Sequence, residues 1–117
     1  PEYPAIRYMN EHLPSDSLTF FIFLGRRGYY FEREYRFGEG LLGKIFLSSE
    51  TAEEVLEGLR ANSATHLFVN YDLFGKWLRN NDFFGKKSMI DNFLSKYVKV
   101  IYYRSPFVVL KLLIPLP

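Results

Sequence analysis

Leu18-Thr19-Phe20-Phe21-Ile22-Phe23-Leu24 is the segment that most constrains the fold. The run is apolar throughout except for Thr19, and it is short. Those two properties together predict a β-strand buried on both faces rather than a helix. His66 to Asn70 has the same character and predicts a second buried strand ending on a polar residue. Two such strands require cover above and below the sheet they share.

The remaining elements follow from periodicity and turn chemistry. Pro4 to Leu13 reads as a short helix, with Ile6, Met9 and Leu13 at helical spacing and Pro14 stopping it. Gly28 to Phe37 reads as a second strand after a glycine-bounded turn. Tyr29, Phe31, Arg33, Tyr35 and Phe37 fall on one face and Tyr30, Glu32, Glu34 and Arg36 on the other, a pattern that suits a sheet edge. Gly38 to Phe46 reads as a loop with a short strand. Thr51-Ala52-Glu53-Glu54 is a capping box opening a helix to about Asn62, and Ser88-Met89-Ile90-Asp91 resembles another. A further helix is expected over Tyr71 to Arg79. Val98 to Tyr103 and Phe107 to Leu113 predict a hairpin turning at Arg104-Ser105-Pro106. The resulting fold class is α/β: a three-layer domain with a mixed, mainly parallel sheet of about five strands and an antiparallel C-terminal hairpin.

The 117 residues fit a single domain. A hydrophobic content of 48 % with 24 % charged residues excludes a disordered chain. Aromatic residues stand out at 19 %, enough for a dense core with some left for an interface. The absence of cysteine excludes disulfides, thiolate metal sites and cysteine nucleophiles. A net charge of +2 does not point to nucleic acid. No apolar run is long enough to span a membrane; the stretch from Phe107 to Ile114 is broken by Lys111. The chain begins Pro1-Glu2 without Met, as a fragment or processed product would.

Several constellations invite a chemical reading. Gly38-Glu39-Gly40-Leu41-Leu42-Gly43 matches the dinucleotide pattern, which needs a helix opening on the glycines; with the next helix expected near Thr51, a connecting loop is the better reading. Arg26, Arg27 and Arg33 with Tyr29 and Tyr30 form a ligand-binding candidate for a lipid phosphate or a sugar. Glu32 and Glu34 lie among them, neutralising the arginines and opposing nucleic acid. The same two carboxylates have a spacing that invites a glycosidase pair, but a solvated strand face explains them. His12 and His66 have no metal-ligand spacing around them, and Ser48, Ser49 and Ser88 read as capping residues at helix starts without a nucleophile elbow. Neither a catalytic residue, a metal nor a cofactor is assigned. Trp77 reads as core, while Phe83 and Phe84 read either as core or as a ridge contacting a membrane or another domain.

One resemblance adds context. Ala5-Ile6-Arg7-Tyr8-Met9-Asn10-Glu11-His12-Leu13-Pro14-Ser15-Asp16-Ser17 precedes the first buried strand. Phe23-Leu24-Gly25 and Arg27-Gly28-Tyr29-Tyr30 follow it. Ala64-Thr65-His66-Leu67-Phe68-Val69-Asn70 and Val109-Leu110-Lys111-Leu112 come later. This order, over roughly residues 4 to 113, resembles the C-terminal soluble domain of bacterial membrane glycosyltransferases of the dolichyl-phosphate-mannose–protein mannosyltransferase type, to which aminoarabinose transferases are related. The resemblance implies a many-span parent enzyme of the bacterial inner membrane that transfers sugar from a polyprenyl-phosphate donor. Its catalytic carboxylate would lie between early membrane spans, outside this sequence. This chain would then be an inactive accessory domain on the periplasmic, extracytoplasmic face. Its partners would be the membrane-embedded part of the same polypeptide and a lipid-phosphate sugar or acceptor glycan, without nucleic acid. The alternatives are an independent soluble ligand-binding or protein-interaction module of Rossmann-like architecture, and a small nucleotide-binding enzyme.

Overall fold

The computed structural model describes residues 2–25, 30–81 and 83–113, and of Phe84 the backbone alone. The elements are α1 (Tyr3–His12), β1 (Leu18–Ile22), β2 (Glu34–Phe37), α2 (Glu39–Ser48), α3 (Ala52–Ala61), β3 (His66–Asn70), α4 (Tyr71–Asn80), a 3-10 turn (Phe83–Gly85), α5 (Lys87–Lys96), β4 (Val98–Arg104) and β5 (Phe107–Leu112). They build an α/β fold around one open, mixed five-stranded sheet of order β2-β1-β3-β5-β4. β1 pairs in parallel with β2 and β3. β5 runs antiparallel to both β3 and β4.

All five residues of β1 are buried. Alternation sends Leu18, Phe20 and Ile22 to one face, where they join Leu42, Phe46, Val55, Leu56 and Phe93 from α2, α3 and α5. Phe21 goes to the other face, with Phe68, Val109 and the α1 residues Ala5, Ile6 and Met9. The Phe21 ring lies 4.7 Å from Tyr35, 5.3 Å from Phe68 and 5.6 Å from Phe31. The aromatic surplus of the sequence is shared between the two faces, around Phe21 on the α1 side and around Trp77 on the other.

Two sequence expectations need correction. The second strand begins at Glu34, not Gly28, and it runs parallel to β1. The connection between them is thus a crossover rather than a glycine-bounded turn. Phe31 still enters the Phe21 cluster, and Tyr35 and Phe37 still share a face against it. Residues 38–46 are not a loop: Gly38 is the N-cap of α2, which starts directly after β2. Leu42, Ile45 and Phe46 supply the buried stripe of that helix.

The end signals fare unequally. The Thr51 capping box forms, with Thr51 Oγ1 accepting from the Glu54 N–H at 3.1 Å and the Glu54 carboxylate accepting from the Thr51 N–H at 3.1 Å. The second box does not form, since α5 opens at Lys87 with Lys86 as an N-cap that makes no side-chain capping bond. Lys86 serves a different helix. Its ammonium donates to the carbonyls of Leu47 at 2.6 Å and Ser49 at 2.7 Å, at the carboxyl end of α2, with the Glu50 carboxylate 3.5 Å away. A cation is favoured there by the helix dipole, and at 15 % side-chain exposure this one is weakly screened. β4 is the outer strand on the hairpin side, and its register shifts between Val100 and Tyr102.

Gly38 and Gly40 make opposite predictions. A Cβ on Gly38 would stand 2.7 Å from the Phe20 ring, whereas one on Gly40 meets nothing within 4 Å. Gly38→Ala should cost about 1–3 kcal/mol through overpacking. Gly40→Ala, in an open helical site, should gain roughly 0.5–1 kcal/mol. Urea unfolding of both variants checks the sign difference. Lys86→Met leaves the α2 carbonyls without their donor and should lower stability by about 1–3 kcal/mol in the same assay.

Candidate functional site

The chain leaves β1 for β2 on one side and later returns to β3 on the other, so the β1/β3 boundary is a topological switch point. In open α/β sheets the crevice outside the carboxyl ends of such strands is where ligands bind. Here that crevice has a volume of 220 Å³ and is lined by Phe23, Leu24 and Gly25 after β1, Asn70 and Leu73 after β3, and Phe107 at the start of β5. Phe23 (φ 62) and Gly25 (φ 63) both adopt left-handed backbone. That conformation is unusual for a bulky side chain. The Phe23 ring is held 5.3 Å from Trp77, which fixes it against the helical layer. The Asn70 side chain accepts from the Leu73 N–H at 3.2 Å and so caps α4 at the mouth of the crevice.

The sequence candidates distribute unevenly around this crevice. Arg26, Arg27 and Tyr29 lie outside the described residues. Tyr30 is exposed, its ring edge-on to Tyr3 at 5.8 Å, and its carbonyl accepts from Asn10 Nδ2 at 2.8 Å. Arg33 is engaged with the fold. Its guanidinium donates to the carbonyls of Asn10 (3.1 Å), Leu13 (3.1 Å) and Pro14 (3.2 Å). These are acceptors at the carboxyl end of α1, where a cation is favoured. Asn10 Oδ1 also accepts from the Glu32 N–H at 2.7 Å, so α1 and the crossover are stitched together from both sides. Glu32 and Glu34 are both exposed, Glu32 ahead of β2 and Glu34 at its first position. Phe83 is not a surface ridge: it is 8 % exposed, with its ring 5.1 Å from Trp77 and 5.5 Å from Phe46. It lines a 520 Å³ cavity with Leu78 and Ile90. The Phe84 side chain lies outside the described residues.

The glycine-rich hexad does open a helix, contrary to the reading that set it aside. Packing nevertheless accounts for it. Gly38 makes room for Phe20, and a Cβ on Gly43 would press on Trp77 at 3.1 Å. Glu39 sits in the first turn of α2 and its carboxylate accepts from the Phe23 N–H at 3.4 Å. A carboxylate already at the helix N-terminus disfavours a pyrophosphate there. The motif also follows the edge strand β2 rather than a central one. Among the described residues no cluster of His, Asp or Glu forms a metal site, and no helix is long and apolar enough to cross a membrane.

His12 is exposed, stacked on Tyr8 at 4.2 Å, with Nδ1 2.8 Å from the Tyr8 carbonyl. His66 is 4 % exposed, with Nδ1 2.7 Å from the Thr65 hydroxyl. Burial first, and the Lys111 ammonium second, lower its pKa to about 4. Comparison of the chain with protein-family models, with curated proteins and with solved structures gives no match.

His66 sets a pH dependence. The unfolded chain takes up the imidazole proton near pH 6.5, while the folded chain resists it down to about 4. Stability from this group is therefore complete above pH 6.5 and falls by about 1.4 kcal/mol per pH unit as the pH drops towards 4. His66→Gln should lack that slope, so the gap between variant and wild type in urea unfolding should narrow between pH 7 and pH 4.5. A gap independent of pH would contradict the assignment.

Proposed function

We propose that this chain is an accessory extracytoplasmic domain of a multi-span bacterial glycosyltransferase that uses a polyprenyl-phosphate-linked sugar. It would sit on the periplasmic face of the inner membrane, against the membrane-embedded part of the same polypeptide, with the sugar-transfer chemistry located there. The observation that carries the reading is that two separated blocks of the resemblance, Phe23-Leu24-Gly25 and the strand ending at Asn70, line one crevice. The Arg26 to Tyr30 segment follows directly on that crevice in sequence and is the proposed contact for a lipid phosphate or acceptor glycan. A three-layer, mainly parallel architecture accords with the two separate cores and the parallel β2-β1-β3 group.

A second reading, an independent binding or interaction module of Rossmann-like architecture, is favoured by the position of the same crevice at the switch point. The complete reading frame separates the two. Several long apolar segments upstream of Pro1 are expected from the first, and a short frame without them would favour the second. The purified chain should transfer no sugar from a polyprenyl-phosphate donor; measured transfer would overturn the accessory role.

A further inference from the structure

The opposite end of the sheet, where β1 and β3 begin and β5 finishes, holds a cavity of 390 Å³. Ser17, Arg60, His66 and Lys111 line it, among apolar walls that include Ala64 and Leu112. We propose that this cavity is a binding site for an anionic head group, a carboxylate or phosphate, carried on a short apolar chain.

Charge supports an anion. Arg60 and Lys111 stand against one lining carboxylate, Asp16, and among the described residues neither cation forms an ion pair. Lys99 lies directly opposite Lys111 on β4, and like charges so placed repel unless something neutralises them. His66 pairs in register with Lys111 from the other side. A row of cationic or protonatable groups thus crosses three strands next to the cavity. Burial first, and the Lys111 ammonium second, hold His66 towards its neutral state.

Unused hydrogen-bonding capacity supports a ligand. Ser17 is 3 % exposed and its hydroxyl has no partner, an arrangement that natural interiors avoid. The Thr65 hydroxyl accepts from the Leu18 N–H at 3.0 Å and stands 3.0 Å from the Leu18 carbonyl and 2.7 Å from His66 Nδ1, so its single proton can be given to either acceptor. An oxyanion in the cavity selects the tautomer in which the hydroxyl donates to Nδ1 and Nε2 carries the ring proton. The largely apolar walls disfavour a bare hydrated ion and favour an alkyl group attached to the head. The site lies at the far end of the strands from the carboxyl-end crevice, so it does not depend on the glycosyltransferase reading.

The test is an NMR titration of the 117-residue chain with sodium hexanoate, hexyl phosphate and inorganic phosphate. Expected are saturable shifts at the amides of Ser17, Thr65, His66 and Leu112 with one of the alkyl probes, and a His66 titration midpoint raised by about one pH unit at saturation. Whichever alkyl probe binds more tightly identifies the head group. Arg60→Gln and Lys111→Gln, both at exposed positions, should each weaken binding about tenfold while leaving the spectrum folded. Absence of saturable shifts with all three probes would overturn the proposal, as would affinity unchanged in both variants. Inorganic phosphate binding as tightly as hexyl phosphate would overturn the apolar half.

Discussion

The fold depends on β1 being enclosed on all sides. Its backbone is hydrogen-bonded to β2 and β3, and its side chains are covered above and below. Its neighbours are parallel, so each is reached by a crossover, and the crossovers supply much of the cover. α2 and α3 provide the route from β2 to β3 and shield Phe20 and Ile22. α1, Leu24 and Phe31 shield Phe21. The crevice beside Asn70 and the cavity beside His66 are the two open ends of the same enclosed strand pair.

The apolar run that defines β1 was legible because nothing competes with its pattern. The Thr51 box and the terminal hairpin were legible for the same reason: capping and turn signals are local, and here local chemistry agrees with tertiary packing. α2 was not. Three glycines within six residues, Gly38, Gly40 and Gly43, suggested a loop, while Leu42, Ile45 and Phe46 carried the helical spacing. Gly38 and Gly43 answer to the rings of Phe20 and Trp77, which are distant in sequence, so the reason for them is invisible in a linear reading. Ser88 fails as a cap because Lys86, drawn to the end of α2, fixes where α5 begins.

Residue type was a weaker guide to the sites than to the fold. Arg33 belongs to an arginine-rich stretch, yet it is held by carbonyls at the end of α1, because those acceptors lack partners within the helix. Lys111 carried the better signal: a lone cation interrupting an otherwise apolar strand. Its meaning emerges only when the antiparallel register sets it beside His66 and opposite Lys99.

The register shift in β4 has its own consequence. An incoming strand reading along β4 would find its donors and acceptors in step up to Val100 and out of step beyond Ile101, where the extra residue intervenes. At the other margin β2 offers only four residues, with Glu34 and Arg36 exposed along it. Neither border is a template for templated growth. Val100 and Tyr103 are exposed beside this break, so the apolar surface of the border does not coincide with a regular row of donors and acceptors of the kind that edge-to-edge stacking requires.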